Sequence, residues 1–260
     1  PLVLSDMKLF SKISGEGPHL IIMHGVFGMG DNWQSLSRKW SDNYTVHQLD
    51  MRNHGRSPHS DDFSYTIMSD DLVEYMRDNS IKKAHILGHS MGGKVAMLFA
   101  VINPDMVDKL IVADIAPKEY QPHHQKILDA LNTLDLENIS GRTEAQEAFE
   151  KLLNDAGTRM FLLKSLFYKE KGKLDWRFNL PVITREIVKV NEGLPDNAIY
   201  NGPTLFIRGS KSFYIQNEDL EKIESHFPEY ILKTIEGAGH WLHAEKPDLF
   251  YTIVCEFLKG

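Results

Sequence analysis

The feature that most constrains the fold is the pentapeptide Gly88-His89-Ser90-Met91-Gly92, which stands between a predicted buried strand and a predicted helix. In that context the pattern Gly-x-Ser-x-Gly is typical of a nucleophile elbow, a strained turn that exposes the serine hydroxyl at the end of a strand. The flanking glycines lack a Cβ, so the strand and the helix can pass close together. The alternative is an ordinary turn in which Ser90 caps the helix.

Strand and helix patterns alternate on both sides of this turn. The alternation predicts an α/β fold with a mainly parallel, twisted sheet flanked by helices. Residues 118–202 interrupt the alternation: they hold no strand of the same quality, and a helix is predicted over 158–167. We therefore expect a core formed by residues 1–117 and 203–260, with an inserted helical cap between them. The first strand is expected at 7–13.

Polar or glycine-rich segments follow five of the predicted strands. They begin after Met23, at Asp50, at Ser90, at Asp114 and in the loop that contains His240. Ligands of parallel sheets bind beyond the carboxyl ends of the strands. We therefore expect these segments to surround one site.

A serine nucleophile needs a general base, and His240 is the best candidate among the histidines. It follows a strand, lies in a glycine-rich loop and comes after Ser90 in the chain. His243 is the competing candidate, although its place at the start of a helix favours packing or capping. We expect His89 to point to the other side of the elbow and His24 to stabilise its loop.

The carboxylate that orients the base is less obvious from the sequence. No acidic residue follows the next-to-last strand directly, and the first one is Glu218, in a predicted helix. Asp114 ends the strand after the elbow, and consecutive parallel strands are usually neighbours. Asp114 is therefore the predicted acid, with Glu218 or Asp219 as the alternative.

An oxyanion hole needs two N–H donors. Met91, in the first turn of the helix, and Val26, in the glycine-rich loop, are the predicted donors. Phe27 and Met29 are expected to line the substrate pocket, with plain core packing as the alternative.

Composition excludes several classes of function. The 260 residues are 42% apolar and carry a net charge of −7, which disfavours nucleic acid or an anionic membrane as partner. The chain has one cysteine, Cys255, and neither an apolar run of about 18 residues nor a signal-peptide pattern. We expect a cytoplasmic protein without a membrane span, a metal or an organic cofactor.

Several segments resemble the α/β-hydrolases over essentially the full chain, and most closely the bacterial YbfF-like carboxylesterases. They are His24-Gly25-Val26-Phe27-Gly28, Asp50-Met51-Arg52-Asn53-His54-Gly55, Gly88-His89-Ser90-Met91-Gly92-Gly93-Lys94, Asp114-Ile115-Ala116-Pro117, Gly239-His240-Trp241 and, in the cap, Trp176-Arg177-Phe178-Asn179.

This resemblance implies a cap over the site and a Ser-Asp-His triad whose acid follows the strand after the elbow, which matches Asp114. It implies hydrolysis of short- to medium-chain esters or of acyl thioesters, including acyl-CoA. We also expect Trp176 and Trp241 in the substrate pocket.

Two alternative functions are compatible with the same predicted site. A C–C bond hydrolase, a perhydrolase or an acyltransferase would use the same triad, whereas a non-catalytic protein of this fold would bind a ligand without turning it over. The expected partner in each case is a small molecule, and the sequence leaves a monomer or a dimer open.

Overall fold

The computed structural model describes residues 7–260 of the chain. The strands in this part are β1 (Ser11–Ser14), β2 (His19–Met23), β3 (Thr45–Leu49), β4 (Ala84–His89), β5 (Val107–Ala113), β6 (Leu166–Glu170), β7 (Lys173–Trp176), β8 (Thr204–Gly209) and β9 (Tyr230–Ile235).

The α-helices are α1 (Gln34–Trp40), α2 (Tyr65–Asp78), α3 (Met91–Ile102), α4 (Gln125–Thr133), α5 (Arg142–Leu152), α6 (Ala156–Leu163), α7 (Leu180–Val190), α8 (Leu220–His226), α9 (Leu242–Glu245) and α10 (Pro247–Lys259). Short 3₁₀ helices lie at Gly30–Trp33, Pro104–Met106, Leu136–Asn138 and Asn217–Asp219. None of the helices in residues 7–260 is long and apolar enough to cross a membrane.

The main sheet has seven strands in the order β1-β3-β2-β4-β5-β8-β9. Only β1 runs antiparallel to its neighbour; every other pair is parallel. This confirms the predicted fold class of a mainly parallel sheet flanked by helices. The first strand lies at Ser11–Ser14 rather than over 7–13, because pairing with β3 begins only at Ser11.

The strand that precedes the elbow, β4, is buried along its whole length. Successive side chains of a strand point to opposite faces of the sheet. Accordingly, Ile86 belongs to the hydrophobic core on one face and Leu87 to the core on the other. Because both faces are covered by apolar packing, the strand is a rigid support for the turn at its end.

Residues 118–202 contain α4 to α7 and a two-stranded antiparallel sheet formed by β6 and β7. The predicted helix over 158–167 extends too far, because α6 ends at Leu163 and β6 begins at Leu166. The mostly helical insertion expected from the sequence thus also contains a two-stranded hairpin. Two residues, Lys171 and Gly172, join the strands, and Gly172 has a φ of 78°. A two-residue hairpin turn with positive φ favours glycine.

The same region is hydrogen bonded to the rest of the chain at several points. Ser165 Oγ donates to the carbonyl of Phe27 at 2.8 Å. The buried Lys94 of α3 donates to the carbonyls of Lys118 and Glu192, each at 2.5 Å. Its side-chain nitrogen thus links residues 118 and 192 of the region to the helix that follows the elbow. The division into a core and a cap stays a prediction.

At the elbow itself, the backbones of β4 and α3 are in contact. A Cβ on Gly88 would lie 2.1 Å from the carbonyl oxygen of Gly92, and a Cβ on Gly92 would lie 2.5 Å from that of Met23. No side chain fits at such distances, since overpacking against backbone forces the main chain to move. Only glycine allows this crossing.

We therefore predict that Gly88→Ala lowers the free energy of unfolding by about 3 kcal/mol or more, because its methyl group collides with a carbonyl that cannot turn away. The matched control is Gly157→Ala in α6, where the added Cβ makes an ordinary contact of 3.5 Å. Denaturant unfolding of both variants checks this. Equal stability of the two would contradict the close crossing.

Candidate active site

Ser90 lies at the turn between β4 and α3 in a strained conformation. Its φ is 54° and its ψ is −118°, a combination that residues with a Cβ rarely adopt. Its N–H donates to the carbonyl of Ala113 at 3.1 Å, and its own carbonyl accepts from Lys94 N at 3.0 Å. These bonds hold the turn, and the side chain lines a cavity beyond the carboxyl end of the sheet.

His240 and Asp114 meet at the same edge. The Nδ1 atom of His240 lies 2.8 Å from Oδ2 of Asp114, and the carboxylate is fully buried. Its other oxygen accepts from Gly209 N at 3.0 Å, and Ser212 Oγ also donates to Oδ2. Ser212 lies in the loop after β8, so three neighbouring strands, β5, β8 and β9, contribute to one hydrogen-bonded cluster.

Burial sets the charge of this pair. It raises the pKa of Asp114 to about 6, against the opposing hydrogen bonds from Ser212 and Gly209. Burial lowers the pKa of His240 to about 3. Since the two groups share one hydrogen bond, they titrate as a pair. Near neutral pH the carboxylate is ionised and the imidazole is neutral, which is the state a general base requires.

Ser90 and His240 both line the cavity. Among the hydrogen bonds of residues 7–260, however, none joins the serine hydroxyl to the imidazole. Such bonds are often long in unliganded enzymes and tighten when substrate binds. The structure thus brings the three predicted residues to one site, with His240 and Asp114 in direct contact.

The loop after β2 is held by buried histidines. His24 Nε2 accepts from Met51 N at 3.0 Å, and His54 Nε2 accepts from Phe27 N at 3.1 Å. Burial lowers the pKa of His24 to about 4 and that of His54 well below its ordinary value, so both rings are neutral acceptors. His24 therefore stabilises its loop, as the sequence indicates.

Two backbone N–H groups remain near Ser90. The backbone hydrogen bonds found in residues 7–260 include none donated by Val26 or Met91. Met91 begins α3, whose N-terminus carries a partial positive charge. The Phe27 N–H, by contrast, is already bonded to His54. Among the described residues, neither predicted donor thus has a backbone acceptor.

The cavity has a volume of about 470 Å³. Residues from the loop after β2, from the region 118–202 and from the loops after β8 and β9 form its largely apolar walls. The apolar and aromatic side chains are Val26, Phe27, Ile127, Phe161, Leu162, Phe213, Tyr214 and Trp241, and the polar ones include His123, His124, Asp155, Thr158 and Lys211.

Of the four predicted pocket residues, Phe27 and Trp241 line the cavity, whereas Met29 and Trp176 do not. Met29 is buried, and its backbone N–H is bonded to Asn32 at the start of a 3₁₀ helix. The ring of Trp176 stacks on Phe178 with a centroid distance of 5.3 Å, inside the larger hydrophobic core. Side-chain packing thus withdraws both residues from the site.

The prediction for His89 is also wrong. Its ring lies 4.6 Å from that of His240 and contacts the carbonyl of His240 through Nε2 at 2.8 Å. His243 is buried and stacks on Trp33 at 4.1 Å, which agrees with a packing role. Sequence reasoning missed Ser212, Tyr214 and His123, whose approach to the site depends on loops distant in the chain.

Comparison with known proteins agrees with this architecture. The family described as alpha/beta hydrolase fold matches residues 18–247. Esterase YbfF of Escherichia coli (strain K12) is 36% identical over 241 residues, which are 92% of each chain. The sn-1-specific diacylglycerol lipase ABHD11 of Mus musculus is 35% identical over 99% of this chain and 86% of its own. A solved marine microorganism esterase has a TM-score of 0.94 and 41% identity, and the match covers 97% of this chain and 100% of that one.

The strain at Ser90 gives a prediction about stability. Ser90→Gly and Ser90→Ala both remove the hydroxyl and differ only in the Cβ, which opposes the observed φ. We expect the glycine variant to be more stable by about 1 kcal/mol. The matched pair is Ser69→Gly and Ser69→Ala within α2, where alanine should be the more stable by about 1 kcal/mol. Thermal unfolding of the four variants shows which of the Gly and Ala variants is the more stable at each position. If alanine were the more stable at both positions, the proposed backbone strain at Ser90 would be contradicted.

Proposed function

Because this chain belongs to the α/β-hydrolase family and is an esterase-type enzyme, we propose that it cleaves carboxylic esters through a Ser90-His240-Asp114 triad. The observation that carries the proposal is the 2.8 Å contact between His240 Nδ1 and the buried carboxylate of Asp114, beside the strained Ser90. The names of its relatives, an esterase and a diacylglycerol lipase, support an ester as substrate.

In the proposed first step, Ser90 Oγ attacks the ester carbonyl while His240 Nε2 takes the hydroxyl proton. Asp114 accepts the hydrogen bond from Nδ1, which fixes the tautomer, and its charge stabilises the imidazolium that forms. The imidazolium then protonates the leaving alkoxide, and an acyl-enzyme remains. Water, deprotonated by His240, attacks the acyl-enzyme and releases the acid.

The negative charge that develops on the carbonyl oxygen needs donors fixed in advance. We propose the N–H groups of Val26 and Met91 for this role, since both are free of backbone partners within the described part of the chain. Removing one such donor in a related type of site costs about 10²–10³ in turnover. Both donors are backbone groups, so their geometry depends on the two turns that hold them.

The substrate proposed is an ester with a short- to medium-chain acyl group. The largely apolar walls and the volume of about 470 Å³ support an acyl chain of limited size. Residues 118–202, the proposed cap, supply Ile127, Phe161 and Leu162 to these walls. An acyl thioester such as acyl-CoA is the second proposed substrate class, since the same mechanism would expel a thiolate.

The test is a series of p-nitrophenyl esters from acetate to palmitate, beside acyl-CoA thioesters of the same lengths and a β-diketone. We expect kcat/KM to peak at short or medium chains and to fall for palmitate, with no cleavage of the diketone. Ser90→Ala should reduce turnover to the background rate. The matched control is Ser69→Ala, which removes a buried hydroxyl remote from the cavity and should leave kcat/KM unchanged.

Turnover of the diketone in preference to every ester would indicate a C–C bond hydrolase. Full activity of a folded Ser90→Ala variant would contradict the triad itself. If no ester or thioester were cleaved while ligands still bound, the chain would be a binding protein on this fold.

The pH dependence follows from the shared titration of the base and the acid. Activity needs Asp114 ionised and His240 neutral, so kcat/KM should be constant near neutral pH and fall as the pH drops through about 6, the raised pKa of Asp114. Asp114→Asn should lower kcat on the order of 10⁴, by analogy with serine proteases.

Measuring kcat/KM for the best ester over a series of pH values locates this acidic fall in activity (the acid limb). Circular dichroism at each pH is the control for unfolding. A limb centred above pH 7, or near-full activity of Asp114→Asn, would rule out this assignment of the acid. In the latter case the conservative alternatives Glu218→Gln and Asp219→Asn become the variants to measure.

A further inference from the structure

The face of the His240 ring is covered by a tyrosine that the mechanism above does not use. The ring of Tyr214 lies on the imidazole with a centroid distance of 3.9 Å and an angle of 23° between the planes. Tyr214 is 7% exposed and the side chain of His240 is 18% exposed, so the stack is largely buried. Such a close, nearly parallel contact restricts rotation of the imidazole about its bond to Cβ.

Three hydrogen bonds fix Tyr214 from three directions. Its N–H donates to Ser212 Oγ at 3.2 Å, the serine that also donates to Asp114. Its carbonyl accepts from the hydroxyl of Tyr120 at 2.5 Å. Its own hydroxyl lies 2.7 Å from Nε2 of His123. The ring is therefore held independently of His240.

The direction of the last bond follows from the other nitrogen of His123. Nδ1 lies 2.8 Å from the carbonyl of Gln121, which can only accept, so Nδ1 carries a hydrogen. In the neutral ring Nε2 is then an acceptor, and Tyr214 donates to it. His123 belongs to the proposed cap, whereas Tyr214 follows β8, so this bond joins the cap to the ring that covers the base.

The stack also affects the stability of a positive charge on His240. A cation over the face of an aromatic ring is attracted by the negative charge of that face. The imidazole is neutral at rest and becomes a cation when it takes the proton of Ser90. The attraction to Tyr214 is thus stronger in the transition state than in the ground state, which is the condition for a faster chemical step.

We propose that Tyr214 is a positioning residue for His240: its ring keeps Nδ1 directed at Asp114 and stabilises the imidazolium, and His123 anchors that ring from the cap. The inference rests on the proposed function, because it assigns a role only if His240 is the base. It adds two side chains to the three of the proposed triad: Tyr214, and His123 of the proposed cap.

The first test separates the ring from the hydroxyl. Tyr214→Leu removes the stack and should lower kcat about tenfold on the best p-nitrophenyl ester, with KM changed less than threefold. Tyr214→Phe keeps the ring and should restore kcat to within about threefold of the wild type. Tyr168→Leu, an exposed tyrosine on β6 outside the cavity, is the matched control and should have wild-type kcat.

The second test measures the link to the cap. His123→Leu should lower kcat about threefold, since the tyrosine hydroxyl loses its acceptor. The double variant His123→Leu/Tyr214→Phe should be no worse than the poorer single variant, because both changes remove the same hydrogen bond. If the kcat losses of the two single variants instead multiply in the double variant, His123 acts on the reaction by another route. That result would contradict its proposed role in anchoring Tyr214.

The outcomes distinguish the inference from the proposed function. If Ser90→Ala abolishes turnover and a folded Tyr214→Leu keeps wild-type kcat, Tyr214 has no positioning role and the triad stands. If Ser90→Ala keeps turnover, the proposed function fails, whatever Tyr214 does. Thermal unfolding checks that each variant is folded. Should Tyr214→Leu not fold, Tyr214→Met carries the same prediction, and a wild-type kcat there would equally overturn the inference.

Discussion

The contact between the backbones of β4 and α3 is the constraint on which the site depends. Gly88 and Gly92 allow a strand and a helix to cross where any side chain would collide with a carbonyl oxygen. The crossing forces Ser90 into a positive φ and directs its side chain to the cavity. It also places the N–H of Met91 at the start of a helix. One steric condition thus positions both the nucleophile proposed here and one proposed oxyanion donor.

The second half of the site is built on the neighbouring strands rather than on the elbow. Asp114 directly follows β5, has a positive φ of 52° and is held by Gly209 at the end of β8 and by Ser212 in the loop after it. His240 arrives from the loop after β9 and meets the carboxylate there. The rigid sheet fixes the distances between these strand ends, so a carboxylate buried at low dielectric stays paired with its imidazole.

Much of this arrangement is predictable from sequence because its signals are local. The alternation of strands and helices and the glycine spacing around Ser90 depend on neighbouring residues, and both the fold class and the elbow geometry follow from them. Asp114 could be selected over Glu218 because parallel strands that follow each other usually pair. The catalytic roles of these residues remain our proposal.

The parts that sequence reasoning missed depend on contacts between distant segments. The hairpin of β6 and β7 is short and largely exposed, so its alternation is too weak to identify it. The chemistry of a tryptophan suits a substrate pocket and a hydrophobic core equally well. In the structure Trp176 stacks on Phe178 and therefore lies in the core. Tyr214 approaches His240 only because the loops after β8 and β9 meet, which no local pattern encodes.

The most direct test of the account is a crystal structure of the protein after reaction with a small fluorophosphonate, in which the phosphorus stands for the tetrahedral carbon. We predict a covalent bond from Ser90 Oγ to phosphorus, with the phosphoryl oxygen about 2.7–3.1 Å from the backbone nitrogens of both Val26 and Met91. His240 Nε2 should lie within hydrogen-bonding distance of the bonded oxygen. An adduct on another residue, or a phosphoryl oxygen directed away from both nitrogens, would contradict the central claim.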